Sequence, residues 1–229
     1  MQTNVIITRT DDENLILAQK IKVLGGKPIC APMLSHKVVV SDFVQFQNYT
    51  DIIVTSKFAA RIISKAYPVT VDAWVVGEES GELLDCNRNI NVRACYDSVL
   101  ECIEALQNTQ NKFLYLSGDH ISHEIFFADR QVIYHTEYAK ILSWGVLETI
   151  RTKSAHFIMF YSKNSAVNFI DLVKRYKLLQ SLRNSAVIAI SKEVAAILTS
   201  YVKEVFYPAK PTAHEMLELL CAKSYEKRI

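Results

Sequence analysis

Six short segments of this 229-residue chain place hydroxyls, glycines and basic side chains directly after short apolar runs. They are Thr8-Arg9, Ser56-Lys57, Ser80 just past Gly77, Ser117-Gly118-Asp119, Ser162-Lys163 and Ser191-Lys192. Three of the six are Ser-Lys dipeptides where an apolar run gives way to a helical pattern. A serine there can cap the helix and also face a ligand. The first-turn N–H groups point outward and attract anions. A lysine at that end opposes the helix dipole by about a few tenths of a kcal/mol. Its placement makes more sense if an anion sits nearby. One such junction carries no information, because Ser is the commonest cap and Lys a common surface residue. Three at equivalent places leave two readings open, coincidence and a ligand site. The second would be a cleft between two α/β domains, suited to a polyanionic small molecule.

Other chemistries lack their signatures. No GxGxxG follows a strand and no GxxxxGK[ST] exists, so the usual backbone cradles for dinucleotides and nucleoside triphosphates are missing. GxSxG is absent too, which weakens a hydrolase nucleophile elbow. His120 and His123 are three apart with no evident third ligand, so no metal is expected. Tyr134 and Tyr138 follow a predicted strand from Val132; by default they are core or rim residues, but a phenol at a cleft can donate a proton.

The elements that must position these groups follow from the hydrophobic pattern. Val5-Ile6-Ile7 reads as a strand, Asp11 and Asp12 as caps, and Leu17, Ile21 and Leu24 as one helix face. Gly25-Gly26 stops that helix, and Pro28 to Pro32 reads as the next strand. Further strands are predicted at Asp51–Val54, Ala73–Val76, Phe113–Leu116, Phe157–Phe160 and Ala186–Ile190. A helix is predicted from Lys57 to about Lys65, and another through Val99, Cys102, Ile103 and Leu106. Strands that are apolar throughout belong in parallel sheets covered on both faces. The fold class is therefore α/β with doubly wound sheets.

The corners also repeat. Ser56 and Ser162 are 106 apart, Gly77 and Ser191 are 114 apart, and Thr8 and Ser117 are 109 apart. Glu104-Ala105-Leu106 recurs as Glu218-Leu219-Leu220. Two similar domains of roughly a hundred residues each are expected.

Composition narrows the function classes. Lys+Arg total 26 against 24 Asp+Glu, a net +2, which is far from the basic excess that neutralising phosphates needs. No nucleic-acid partner is expected. No apolar run approaches the ~20 residues of a membrane span, and the N-terminus lacks a signal-peptide pattern. The five cysteines, Cys30, Cys86, Cys95, Cys102 and Cys221, contain no CxxC and read as buried free thiols in a reducing compartment. A cytoplasmic monomer without membrane contact is the expectation.

The ordered set Val5-Ile6-Ile7-Thr8-Arg9, Leu24-Gly25-Gly26, Pro32, Asp51 to Ser56, Val75-Val76-Gly77, Tyr138, Phe160-Tyr161-Ser162, Ala189-Ile190-Ser191 and Pro211-Thr212 resembles uroporphyrinogen-III synthase. The resemblance runs over essentially the whole chain, carried by the ordered set. It implies two flavodoxin-like domains joined by a two-stranded linker, one made of residues 1–35 and 140–229 and the other of 36–139. It also implies a cofactor-free reaction: cyclisation of hydroxymethylbilane, a polycarboxylate tetrapyrrole, with loss of water and inversion of the last pyrrole ring.

The resemblance further implies roles. A tyrosine after the linker-proximal strand would be the proton donor; spacing favours Tyr138, with Tyr134 the alternative. The hydroxyl corners carry over to Ser56, Ser80 and Ser162. With Thr8, Arg9, Lys57, Ser117, Gly118, Lys163 and Ser191, they make up the expected substrate lining. The chain departs from the family at Lys57 and Lys163, where Pro is frequent. It departs again at Ser191 and Glu193-Val194-Ala195, where Gly and a Thr-Thr-Ala run are usual. That last change motivates a second hypothesis, a non-catalytic binder of an anionic metabolite. A flavodoxin-like regulatory module is a third, but no phosphoacceptor carboxylate stands where the first or third strand stops in either half.

Overall fold

A computed structural model describes residues 2–39, 48–66 and 70–226. In chain order the first elements are β1 (Thr3–Ile7), α1 (Asp11–Val23), β2 (Gly26–Cys30), β3 (Leu34–Val38), β4 (Asp51–Val54) and α2 (Lys57–Ala66). Then come β5 (Val71–Val76), α3 (Glu78–Asp85), β6 (Ile90–Tyr96), α4 (Val99–Leu106), β7 (Phe113–Gly118) and β8 (Ala128–Tyr138). The last are α5 (Trp144–Arg151), β9 (Phe157–Phe160), α6 (Lys163–Arg175), α7 (Leu179–Leu182), β10 (Ala186–Ala189), α8 (Lys192–Leu198), β11 (Glu204–Phe206) and α9 (Ala213–Glu226).

The chain divides into two compact units, Met1–Ser35 with Tyr138–Ile229, and His36–Glu137. The first contains a sheet in the order β2-β1-β9-β10-β11, parallel throughout. The second contains β8-β7-β4-β5-β6, also parallel, extended at the β8 edge by β3. Hydrogen bonds from Val39 N to Ile133 O and from Ala139 N to Met33 O, both 3.0 Å, run β3 antiparallel to β8. The two orders match position for position. β1 takes the place of β7, β9 that of β4 and β10 that of β5, the same pairs that the offsets of 109, 106 and 114 connect in the sequence. The second sheet is thus a permuted version of the first.

Both sheets are buried on both faces, which is why their strands read as unbroken apolar runs. In the first sheet Ile6, Ile158, Phe160 and Val187 pack to one side, and Val5, Ile7, Phe157, Met159 and Ile188 to the other. In the second, Ile52, Val54, Ala73 and Leu114 alternate with Ile53, Trp74, Phe113 and Tyr115 in the same way. Each of those fully buried Val, Leu, Ile or Phe side chains contributes about 1.5–3 kcal/mol.

Several local expectations are corrected. Of the cysteines expected to be buried, only Cys102 is; Cys30, Cys86 and Cys95 are exposed and Cys221 is partly exposed, because they lie at strand and helix edges rather than on a core face. The N-cap of α1 is Thr10, in an extended conformation; Asp11 and Asp12 lie inside the first turn, where a carboxylate meets the positive end of the dipole. Leu24 is the C-cap and half exposed, outside the apolar face of Leu17 and Ile21. Gly25, at φ +77°, reverses the chain as expected. Gly26 already belongs to β2, paired with Thr3 of β1, and glycine is needed there because a Cβ would lie 2.7 Å from Ile21 Cγ2. The strand predicted from Val132 is the eleven-residue β8, so Tyr134 and Tyr138 lie within it.

Candidate functional site

In open parallel sheets, ligands collect where the strands end at their carboxyl side. The second unit brings Ser56, Ser117 and Gly118 to that edge, on the adjacent strands β4 and β7. Ser56 caps α2, accepting the Ala59 N–H at 3.1 Å. Its Oγ also accepts the Tyr134 hydroxyl at 3.1 Å. Tyr134 reaches this position through a bulge: β7 and β8 pair Ser117 with Val132 but Gly118 with Tyr134, skipping Ile133. Its ring packs edge-on against Phe58 and His36, with centroids 4.9 and 5.0 Å away. Gly118 is what permits this packing, since a Cβ there would lie 2.4 Å from Tyr134 Cζ. Burial pushes the Tyr134 phenol above its ordinary pKa, against the opposing bond to Ser56 and with an addition from Asp119.

The other groups of this edge are tied down. Ser117 is buried; its hydroxyl donates to Gly118 O at 3.0 Å and accepts from Arg130 Nε at 2.9 Å. Arg130 also donates to the carbonyls of Gly118 and Asp119, at 2.8 and 3.0 Å. Burial acts to raise the Asp119 carboxyl. The backbone N–H of Thr136 and the His135 ring outweigh it, and the group lies below its ordinary pKa. Thr55 Oγ1 and the Tyr115 hydroxyl share a hydrogen bond of 2.8 Å. Lys57 forms an ion pair with Glu79, and Ser80 is buried in α3.

The first unit brings Thr8, Arg9, Ser162, Lys163 and Ser191 to the carboxyl ends of its adjacent strands β1, β9 and β10. Thr8 is fully buried and its hydroxyl donates to Met159 O at 2.8 Å, tying β1 to β9. Arg9 pairs with Glu13, and its guanidinium lies over the Tyr161 ring. Ser162 caps α6, accepting Ser165 N at 3.1 Å, and leaves Lys163 exposed in the first turn. Ser191 caps α8 by accepting Val194 N at 3.5 Å. Glu193, which the sequence leaves beside expected carboxylates, is held below its ordinary pKa by a bond to Ser191 and by Lys163 and Lys192. Tyr138, the other candidate donor, ends β8 with an exposed side chain.

Sequence reasoning missed the Thr55–Tyr115 bond, the Arg130 clamp and the His36–Phe58 packing of Tyr134. None of these has a spacing signature, because their partners lie on elements far apart in the chain. Among the described residues no three His, Cys, Asp or Glu side chains gather closely enough to hold a metal ion, and no helix is long and apolar enough to cross a membrane.

Comparison with known proteins gives these corners a context. An uncharacterised protein of Rickettsia prowazekii is 27% identical, over 95% of this chain and 97% of its own. The crystal structure of uroporphyrinogen-III synthetase from Helicobacter pylori shares the fold at a TM-score of 0.65 and 15% identity, over 97% of this chain and 100% of that one. A mutant uroporphyrinogen III synthase from the extremely thermophilic bacterium Thermus thermophilus shares it at 0.62 and 11%, over 99% and 100%. The model of the uroporphyrinogen-III synthase HemD family matches residues 16–218. The chain belongs to that family, lyases of porphyrin and haem biosynthesis.

Proposed function

We propose that this member of the uroporphyrinogen-III synthase family catalyses the family reaction itself in the cytoplasm, closing hydroxymethylbilane into uroporphyrinogen III with inversion of the last pyrrole ring. The observation that carries this reading is the family match over residues 16–218. The chemistry of the corners supports it. A substrate with eight carboxylates calls for hydroxyls, N–H groups and scattered cations. Ser56, Ser80, Ser162, Ser191, Gly118, Arg9, Lys57 and Lys163 are the groups proposed to meet them. Thr8, Ser117, Ser162 and Ser191 would act through the backbone, since their hydroxyl protons are already donated, to Met159 O, Gly118 O, Ser165 Oγ and the Glu193 carboxylate.

Ring closure needs a hydrogen-bond or proton donor for the departing hydroxyl, which leaves as water. Tyr134 suits this better than Tyr138. Its hydroxyl is already aimed at Ser56 Oγ from a buried position, whereas Tyr138 ends its strand exposed. Ser56 uses two lone pairs to accept from Ala59 N and Tyr134, which leaves its own O–H to donate. A proton given up by Ser56 is replaced from Tyr134, and the pyrrole carbon that forms the new bond releases one in exchange. The electrophile created when water leaves would otherwise react with solvent or close without inversion. Holding it folded and dry is therefore much of the catalysis.

Expression in a bacterial host lacking its own uroporphyrinogen-III synthase tests the proposal. Restored haem-dependent growth supports it. A stable, expressed chain that fails to restore growth favours the non-catalytic binder.

A further inference from the structure

Arg9 leaves β1 with its backbone pinned on both sides. Asn14, buried in α1, accepts the Arg9 N–H at 3.1 Å and donates to the Arg9 carbonyl at 2.9 Å. The guanidinium then grips Glu13 at two points, Nε to Oε2 at 3.0 Å and Nη2 to Oε1. Thr10 Oγ1 steadies the same carboxylate at 3.2 Å. This fork-on-carboxylate geometry is the one by which an arginine holds an acidic ligand. The guanidinium carbon sits 4.6 Å from the centroid of Tyr161, at the end of the neighbouring strand β9. The Tyr161 hydroxyl is buried and has no hydrogen-bond partner among the described residues, a rare condition in a folded protein.

We propose that Glu13 is a built-in stand-in for a substrate carboxylate. Arg9, mounted by Asn14 and stacked on Tyr161, exchanges Glu13 for a carboxylate of the incoming polyacid, and an oxygen of that carboxylate accepts the idle Tyr161 hydroxyl. The identity of the polyacid rests on the function proposed above. The exchange acts as a filter. Glu13 competes from a tethered position at high effective concentration, so a small mono- or diacid displaces it poorly. A ligand held by several other carboxylates presents its next one at comparable effective concentration and succeeds. Glu13 is thus a specificity residue, and Tyr161 completes the receptor.

The test titrates uroporphyrin III, a stable octacarboxylate, against the full chain by fluorescence, with melting curves to verify folding. Glu13→Gln binds roughly threefold to fivefold tighter than wild type, the scale of one partly exposed ion pair. The gain vanishes in Glu13→Gln/Arg9→Gln. It is less than half as large in Asp11→Asn, which removes a charge from the same helical turn. Glu13→Ala gives the same ranking, should the glutamine amide keep hold of the fork. Unchanged or weaker binding in both Glu13 variants overturns the proposal, as does an equal gain in Asp11→Asn or a gain that survives without Arg9. Isomer synthesis from hydroxymethylbilane is followed in parallel. A chain that makes no III isomer yet keeps the Arg9-dependent gain refutes the catalytic reading and leaves the exchange standing.

Discussion

The Tyr134 hydroxyl donates to Ser56 Oγ at 3.1 Å, joining residues 78 positions apart. The bond links β8 to the cap of α2, and it fixes where the remaining Ser56 proton can go. If that pair serves the departing hydroxyl, Tyr134→Phe lowers the rate of III-isomer formation by roughly 10-fold or more, the usual scale for a proton donor. Stability falls by only about 1 kcal/mol, the worth of one hydrogen bond. Tyr138→Phe costs less activity. Steady-state assays on both variants decide the assignment, and a larger loss in Tyr138→Phe would move the donor to the end of β8.

Gly118 is required by packing. The side chain introduced by Gly118→Ala meets three Tyr134 atoms at 2.4–2.7 Å, with no flexible tip to give way. Urea unfolding of Gly118→Ala is expected to show a loss of about 1–3 kcal/mol, the cost of overpacking a core. Gly118→Ala/Tyr134→Leu is then less than additive, because the second change removes the obstruction.

Arg130 satisfies Ser117 Oγ and the carbonyls of Gly118 and Asp119. Arg130→Ala leaves those acceptors short and lowers stability by about 1–3 kcal/mol. Lysine recovers little of this, because a point charge does not reproduce the fork. Thermal melts of the three proteins compare them directly.

The Asp119 carboxyl makes an acid-limb prediction. Its folded pKa is lowered, so its contribution to stability is fully present above the unfolded value of about 3.9 and is lost as pH falls through the folded one. Stability of wild type minus that of Asp119→Asn is therefore constant near neutrality and shrinks below about pH 4. Denaturation curves between pH 3 and 7 measure it, and a difference that does not change with pH would show that the carboxylate is not held by Thr136 and His135.

Much of this molecule is legible in its sequence. The central strands could be read because both of their faces are apolar, and Phe157–Phe160 and Asp51–Val54 needed no tertiary information. The repeat was visible because strand ends carry small polar residues at similar offsets, 106 to 114; its permutation shows only in the strand orders. The edge strand β6 was harder, since Arg93 and Asn91 alternate with its apolar residues and pair with Asp72 on β5. The corners were legible as capping serines, but what each hydroxyl does was not. Whether Thr8 bonds Met159 or a ligand depends on a strand 151 residues away. Spacing from Val132 pointed to Tyr138, and it could not reveal the bulge at Gly118 that presents Tyr134 to Ser56.

The most direct measurement supplies freshly generated hydroxymethylbilane to the purified chain, oxidises the products and separates the porphyrin isomers. Uroporphyrin III well in excess of the I isomer formed by unassisted closure is the expected result. Isomer I alone, from protein that is folded by its melting curve, would contradict the proposed activity.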